Sequence, residues 1–232
     1  MSKEKSSKKA LVIGSSGVIG GAFLKTFCDD PTFSAVHDIS RSKKNGFDLE
    51  DIGSIESEAK QMANNAPFHI IVDATGVLSF EGKGPEKSLA SIDSFHLHRT
   101  FQINSIGPLF LLKNFAPMLE KGRCIYAKLS ARVGSISDNK KGGWYGYRAS
   151  KAALNMFLQT ASIELQRKNS QSIVVALQPG TINSDLSKPF ASFVDHFLEP
   201  HVSVKGMLNS IYKLSPKNGA YFLDYKGKEI LW

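Results

Sequence analysis

The sequence predicts a single α/β domain with a doubly wound parallel sheet of about seven strands and helices on both faces. Short apolar runs, typical of buried parallel strands, alternate with longer segments of helical periodicity along the whole chain. The 232 residues, of which 42% are hydrophobic, are enough to bury one sizeable core. Because the sequence has no internal repeat and no low-complexity linker, we expect no second domain.

Each predicted element is an apolar run or a periodic segment bounded by glycine, proline or polar residues. The predicted strands are residues 10–13, 33–39, 47–49, 69–76, 124–129, 172–180 and 220–224. The predicted helices are residues 21–29, 51–65, 89–97, 99–119, 147–168 and 201–214. The strand at 47–49 is expected at a sheet edge, and the apolar-rich segment 182–200 is a predicted lid over a substrate site.

The charge distribution argues against nucleic-acid binding. The net charge is +8, but residues 1–9 carry four lysines and one glutamate, and we expect a disordered basic tail there, ahead of a domain at 10–232. The remaining charge is scattered, with no basic stretch that alternates with aromatic residues, so an anionic small ligand fits better. No apolar run has the length of a membrane span and no secretory segment opens the chain, which predicts a soluble cytoplasmic protein.

The first predicted strand runs into the sequence GSSGVIG at residues 14–20, which opens the first helix. A tight strand-to-helix turn needs glycine, and the free backbone N–H groups of a helix N-terminus suit a pyrophosphate. This context, more than the glycines themselves, predicts a Rossmann-type dinucleotide site. The residues predicted to bind the cofactor here are Gly14, Ser15, Ser16, Gly17 and Ile19.

The end of the second strand bears on the choice between NAD(H) and NADP(H). An acidic residue there favours NAD, whereas an arginine accommodates the 2′-phosphate of NADP. Asp38 lies within the predicted strand, and Arg41 lies just beyond it, beside two serines and ahead of two lysines. This arrangement favours NADP(H), with NAD(H) and a merely solvated basic loop as the alternatives. Asp48 is a candidate partner for the adenine amino group.

Residues 130–168 carry the predicted chemistry. Tyr147 and Lys151 are four residues apart at the start of a predicted helix and therefore share one face. A tyrosine titrates near a pKa of about 10, and a neighbouring ammonium favours the phenolate, which suits proton transfer to or from a carbonyl oxygen. Ser130, at the end of the preceding strand, is placed to hydrogen-bond that oxygen. These groups include no redox centre, so the hydride must come from a cofactor, and we assign no metal site.

Asn104 and two backbone turns complete the predicted site. Asn104 lies inside an apolar helix, where an amide is costly unless it is used, and beside Tyr147 and Lys151 it becomes a candidate for holding a water or the lysine. Two strands end in small residues or glycine, where the backbone can approach a cofactor ribose or a nicotinamide. The residues of these turns are Ala74, Thr75, Gly76, Pro179, Gly180 and Thr181.

Over nearly the whole chain, these residues resemble the short-chain dehydrogenase/reductase family, and the runs SARVGSISDN and GGWYGYRASKAALNM are similar to its C-factor-like subgroup. The matching positions are Gly14, Gly17, Gly20, Asp73-Ala74-Thr75-Gly76, Asn104, Tyr147, Lys151, Pro179 and Gly180. The resemblance implies an oxidoreductase that interconverts a small-molecule carbonyl and an alcohol as a homodimer or homotetramer. It implies Tyr147 as general acid or base, Lys151 as the group that lowers its pKa and holds the nicotinamide ribose, and Asn104 as support for a proton relay.

The chain departs from the family pattern in three places. One of them, Thr75 in place of an alanine in the loosely matched element at 73–76, is expected to be harmless. The glycine spacing is G-x-x-G-x-x-G, where single-domain members usually have G-x-x-x-G-x-G. By its spacing from Tyr147, the position of the catalytic serine falls at Ala131, which leaves Ser130 one residue early and Ser135 as a second candidate; we predict Ser130. The alternative function is a cofactor-binding cell–cell signalling protein with little turnover, but the complete Tyr and Lys pair favours an enzyme.

Overall fold

The structure, a computed structural model, describes residues 8–42, 46–183 and 197–232. Within these ranges the strands are β1 (Lys8–Ile13), β2 (Phe33–Ile39), β3 (Ile70–Asp73), β4 (Cys124–Leu129), β5 (Ser172–Gln178) and β6 (Tyr221–Asp224). They form one parallel sheet in the order β2-β1-β3-β4-β5-β6. The chain winds to one side from β1 and to the other side from β3, which confirms the doubly wound α/β sheet. Its topological switch point lies where β1 and β3 end.

The helices lie on both faces of this sheet. They are α1 (Val18–Asp29), α2 (Ile52–Met62), α3 (Ser94–Phe101), α4 (Gly107–Phe115), α5 (Tyr145–Lys168) and α6 (Pro200–Ile211). A single π-helical turn, Gln102–Ile106, joins α3 to α4. The predicted helix at 89–97 is wrong in its start, because Asp93 caps α3 by accepting a hydrogen bond from the His96 N–H at 2.7 Å.

The predicted seventh strand at 47–49 is wrong. Phe47 and Leu49 are buried in the core, but they lie in a turn that leads into α2. The Ser54 hydroxyl bonds to both the N–H and the C=O of Asp48, each at 2.9 Å. The Ser54 side chain therefore occupies the N–H and C=O groups of Asp48, which in a strand would hydrogen-bond to a neighbouring strand. Phe47 and Leu49 alternate with a polar residue because both pack into the core, and they do not pair with a strand of the sheet.

Two hydrophobic cores flank the sheet. On one face, alternate strand residues such as Ile71 and Tyr126 pack against α2, α4 and α5. On the other face, the intervening residues such as Val72 and Ala127 pack against α1 and α6. Since successive side chains of a strand alternate between the two faces, Lys128 of β4 lies on the same face as Tyr126, towards α5.

Parts of two predicted segments lie outside the described residues. These are residues 1–7 of the basic tail and residues 184–196 of the predicted lid. The tail prediction is wrong at its end, because β1 begins at Lys8 and so includes Lys9. Among the helices that the structure describes, none has the length and apolar character that crossing a membrane requires.

Candidate active site

The glycine-rich turn joins β1 to α1 at the switch point of the sheet. Gly14 has φ = +86°, a conformation that favours glycine, and its N–H donates to the Ile39 carbonyl at 2.8 Å. A Cβ on Gly20 would lie 2.1 Å from the Gly14 carbonyl oxygen, so only glycine fits there. Gly17 caps α1, whose first turn contains no acidic residue. Despite its altered spacing, this turn leaves a helix N-terminus suited to an anion.

The turn after β3 lies against this glycine-rich turn. A Cβ on Gly14 would be 3.1 Å from both the Ala74 carbonyl carbon and the Thr75 nitrogen. Gly76 has φ = +147°, which again favours glycine. The two backbone turns that the sequence assigns to cofactor binding are therefore neighbours at the crevice where doubly wound folds bind nucleotides.

At the end of β2, Asp38 is hydrogen-bonded and Arg41 is exposed. The Ser15 hydroxyl donates to the Asp38 carboxylate at 2.5 Å, which draws that carboxylate towards the glycine-rich turn. Arg41 is exposed in the turn that follows β2. Asp48 is half-buried, and its carboxylate accepts a hydrogen bond from the Glu50 N–H at 2.9 Å.

Tyr147 and Lys151 lie on one face of the first turns of α5. Lys151 is buried, with its Nζ 5.7 Å from the centroid of the half-buried Tyr147 ring. A Cβ on Gly134 would lie 2.8 Å from the Cβ of Lys151, so the turn after β4 packs tightly on the lysine stem. At the start of α5, the buried Glu86 accepts a hydrogen bond from the Gly146 N–H at 2.9 Å, which fixes the helix end that carries Tyr147.

Burial controls the protonation of this pair. It raises the pKa of the Tyr147 hydroxyl above its ordinary value of 10. It also lowers the pKa of Lys151 from 10.5 to about 7, with a further lowering from the nearby Lys128 ammonium. The Tyr147 pKa is therefore not lowered by Lys151 as expected, because burial raises it. One physical reason is that a lysine with a pKa of about 7 carries only part of its charge at neutral pH.

Asn104 lies in the π-helical turn and holds the loop after β3. Its Oδ1 accepts from the Val77 N–H, and its Nδ2 donates to the Val77 carbonyl, both at 2.8 Å. A Cβ on Gly76 would lie 3.2 Å from Lys151 Nζ and 3.3 Å from Asn104 Oδ1. The structure thus brings Asn104, Gly76 and Lys151 together, with the asparagine amide already satisfied by the loop.

The two serine candidates are both engaged inside the protein. Ser130 is buried, and its hydroxyl donates to Asn155 Oδ1 at 2.7 Å. Ser135 is also buried, and its hydroxyl accepts from the Asp138 N–H at 3.1 Å. Ser130 therefore stays a prediction as the carbonyl-orienting group, and in this structure its proton is used by Asn155.

The turn after β5 closes the same edge of the sheet. Gly180 has φ = +80°, and a Cβ there would lie 2.5 Å from Leu198 Cδ1. The Pro179 carbonyl accepts a hydrogen bond from the Ser203 hydroxyl at 2.5 Å. The Thr181 carbonyl accepts one from the Leu198 N–H at 2.9 Å. The backbone of this turn is therefore held by α6 and by the segment that precedes it.

A buried ion pair that was not predicted from the sequence lies beneath this site. Lys128 Nζ lies 2.8 Å from Asp73 Oδ1, and both side chains are fully buried. A visible signal existed, because a lysine inside the apolar run CIYAKL is unusual for a buried strand. Glu86 was also missed, and its position in a glycine- and proline-containing loop gave no signal. The described residues include no group of three or more His, Cys, Asp or Glu side chains that could hold a metal ion.

A family model described as short chain dehydrogenase matches residues 8–194. The C-signal protein of Myxococcus xanthus is 35% identical over 167 residues, which cover 72% of this chain and 93% of that protein. The 1-hydroxy-2-glutathionyl-2-methyl-3-butene dehydrogenase of a Rhodococcus species is 30% identical over 193 residues, which cover 81% of this chain and 79% of that enzyme.

Solved structures share the fold at lower identity. An NADPH-bound carbonyl reductase from chicken fatty liver has a TM-score of 0.81 at 22% identity, and the match covers 99% of this chain and 96% of that one. The carbonyl reductase Sniffer of D. melanogaster has a TM-score of 0.80 at 20% identity, covering 97% of this chain and 100% of that one.

Proposed function

Because the chain belongs to the short-chain dehydrogenase family of oxidoreductases, we propose that it is an NADP(H)-dependent enzyme that interconverts a small-molecule carbonyl compound and an alcohol. The observation that carries this proposal is the pairing of Tyr147 with Lys151 on α5, beside the Gly76 turn and the switch point of the sheet. A bound nicotinamide would supply or accept the hydride, and the protein would then handle the proton.

Tyr147 is the proposed proton donor in reduction and the proton acceptor in oxidation. Burial keeps its hydroxyl protonated at neutral pH by raising its pKa, so a proton is available for the carbonyl oxygen. When that proton leaves, the Lys151 ammonium stabilises the phenolate. Lys151 Nζ has one hydrogen-bond acceptor among the described residues, the Leu129 carbonyl at 3.4 Å, which leaves N–H groups to bind a ribose hydroxyl. Asn104 fixes the neighbouring loop, and Ser130 is the proposed group that orients the carbonyl.

The described residues fit a dinucleotide. The first N–H groups of α1 have no acceptor within the helix and can bind a pyrophosphate. Glycine is required at Gly20 because a Cβ there would clash with Gly14. The proposed cofactor contacts are Gly14, Ser15, Ser16, Gly17, Ile19, Arg41, Asp48, Ala74, Thr75, Gly76, Tyr147, Lys151, Pro179, Gly180 and Thr181.

The preference for NADP(H) over NAD(H) rests on Arg41 and Asp38. Arg41 is exposed directly after β2, where a guanidinium can pair with a 2′-phosphate. The Asp38 carboxylate, which would favour NAD if it reached the ribose, accepts a hydrogen bond from Ser15 at 2.5 Å. The NADPH-bound chicken carbonyl reductase and a Burkholderia multivorans homologue with bound NADP share the fold, which supports the same choice.

The similarity to C-signal favours a second candidate function, a signalling protein that keeps the cofactor site but turns over little. The match covers 93% of that protein at 35% identity. Tyr147 and Lys151 favour the enzyme, because binding alone does not need an acid–base pair. A panel of carbonyl compounds, assayed by NADPH oxidation, separates the two. NADPH binding without turnover of any compound would favour the signalling role.

Tyr147→Phe tests the proposed chemistry. The substitution removes the proposed proton donor but keeps the ring, so we expect kcat to fall by about 10²- to 10⁴-fold, with little change in NADPH affinity. The matched control is Tyr145→Phe, two residues away on the exposed side of α5, which should retain full activity. Wild-type turnover by the Tyr147→Phe variant would show that Tyr147 is not the proton donor.

A further inference from the structure

A buried cation–carboxylate pair lies directly behind the Tyr147–Lys151 site. Asp73 is the last residue of β3, and Lys128 is its register partner in the neighbouring strand β4. Both side chains are fully buried, and Lys128 Nζ lies 2.8 Å from Asp73 Oδ1. A pair of this kind usually adds little to stability, because desolvation of the two charges offsets their attraction. Its presence therefore calls for an explanation at this site.

The hydrogen bonds of Lys128 match those of an ammonium. Its Nζ contacts three acceptors: Asp73 Oδ1 at 2.8 Å, the Thr75 carbonyl at 2.7 Å and Thr75 Oγ1 at 2.9 Å. An ammonium has three N–H donors, whereas a neutral amine has two. Thr75 Oγ1 in turn donates to Asp73 Oδ1 at 2.6 Å. Three acceptors around one nitrogen match the three N–H donors of an ammonium, although burial lowers the pKa of Lys128 from its ordinary value.

This network ends at Lys151. Thr75, held by Lys128, immediately precedes Gly76, and a Cβ on Gly76 would lie 3.2 Å from Lys151 Nζ. Lys151 Nζ also lies 3.4 Å from the carbonyl of Leu129, the residue after Lys128. Lys128 on β4 and Lys151 on α5 therefore both lie against the Thr75–Gly76 turn. Lys128 fills its three bonds inside the protein, while Lys151 keeps N–H groups for a ligand.

We infer that Lys128 is a positioning residue for Lys151: paired with Asp73, it fixes the Thr75–Gly76 turn and places a second buried positive charge behind the Lys151 ammonium. The inference rests on the proposed function only for its effect on turnover. Its effect on Lys151 can be measured in the protein without cofactor or substrate.

Burial lowers the Lys151 pKa most, and the other groups that face Lys151 add no charge to the effect of this pair. On its own helix the neighbour is Tyr147, which burial keeps neutral. The π-helical turn contributes the neutral Asn104, and the turn after β4 contributes Gly134. Among the described residues, the charges that act on the Lys151 pKa are Lys128, which lowers it, and Asp73, which raises it less.

Three variants give an ordered set of expected Lys151 pKa values, which can be measured from the pH dependence of its side-chain NMR signal. Asp73→Asn leaves Lys128 unopposed and should lower the Lys151 pKa below the wild-type value. Lys128→Met leaves the Asp73 carboxylate alone and should raise it by about one pH unit or more. The double variant Asp73→Asn/Lys128→Met removes both charges and should fall between wild type and Lys128→Met.

Two controls separate an effect of Lys128 on the Lys151 pKa from a general effect of removing a lysine or of losing stability. Lys168→Met removes an exposed charge at the far end of α5 and should leave the Lys151 pKa unchanged. If Lys128→Met does not fold because it leaves a buried carboxylate unpaired, the order of Asp73→Asn, wild type and the double variant still tests the inference. An unchanged Lys151 pKa in variants that have lost stability would reduce Lys128 to a structural role and overturn it.

The same variants separate this inference from the proposed function. If the enzyme turns over a carbonyl compound, the pH midpoint of kcat/KM should move in the same order as the Lys151 pKa. If no compound is turned over but the pKa values follow the order, the inference holds and the proposed function fails. Normal turnover with an unmoved Lys151 pKa would overturn the inference alone.

Discussion

Lys151 should destabilise the cofactor-free protein at neutral pH. It is buried, with one acceptor at 3.4 Å among the described residues and a second buried lysine nearby. A buried ammonium without a carboxylate partner is unfavourable. Lys151→Met keeps a long unbranched side chain but removes the charge. We therefore expect this variant to be more stable than the wild type and inactive.

The size of the effect follows from the pKa of Lys151, which falls from 10.5 in the unfolded chain to about 7 in the folded protein. At about 1.4 kcal/mol per pKa unit, this difference corresponds to about 5 kcal/mol of lost stability at low pH. Local relaxation and water entry reduce such penalties, so we expect Lys151→Met to gain about 2–4 kcal/mol at pH 7. For a chain of this size, that gain should raise Tm by about 5–15 °C.

The pH dependence gives this prediction its sign. Because the folded-state pKa is lower than the unfolded one, the unfolded protein binds more protons between these two values. The wild type should therefore gain stability relative to Lys151→Met as the pH rises through this window. The difference in unfolding free energy between Lys151→Met and the wild type is fully present below pH 7 and should shrink to roughly a third by about pH 9.5. Denaturant unfolding of both proteins at several pH values measures it.

A comparison with Lys168→Met controls for the loss of any lysine from α5. The Lys168 side chain is 69% exposed and pairs with Glu164 across one helical turn, so its removal should change stability by no more than about 0.5 kcal/mol. A Lys151→Met variant that is less stable than wild type at pH 7 would refute the reasoning. So would a stability gap that does not change with pH.

Two further predictions concern the cofactor. Arg41→Ala should weaken NADPH binding by about ten- to a hundredfold through loss of a charge-assisted contact, with little effect on NADH. Titration of both cofactors measures the ratio, and an unchanged ratio would contradict the assignment of Arg41. Gly20→Ala should lower NADPH affinity by more than about tenfold, because its Cβ would lie 2.1 Å from the Gly14 carbonyl oxygen and the turn proposed to bind phosphate must shift.

Periodicity and turn chemistry were sufficient to predict the sheet and most helices. Parallel strands buried on both faces are continuous apolar runs, and this signal does not depend on distant partners. The signal failed at 47–49, where Ser54 captures the backbone of Asp48. It also failed at 89–97, where α3 begins only at Ser94 because Asp93 is its N-cap. Both errors come from single side chains that bond to backbone groups, which hydrophobic patterns do not report.

The shared helix face of the candidate residues Tyr147 and Lys151 was predictable from the sequence, but their electrostatics were not. The spacing of Tyr147 and Lys151 predicted a shared helix face, and the structure has it. The sequence could not show that burial raises the Tyr147 pKa, because burial depends on the whole fold. It also could not show that Asp73 and Lys128 are register partners, since they are far apart along the chain.

Several residues that are unusual for their local structure lie together at the switch point of the sheet. A lysine inside an apolar strand, a second buried lysine and glycines at positive φ all lie around the turn after β3. With Lys128 and Lys151 protonated and Asp73 ionised, this buried cluster carries an excess positive charge. Such a cluster destabilises the empty protein and favours an anionic ligand by the same electrostatics. Binding of a dinucleotide phosphate would favour the charged form of Lys151, and a charged Lys151 is the form that stabilises a Tyr147 phenolate. The instability of the empty site and its proposed acid–base function therefore have one physical cause.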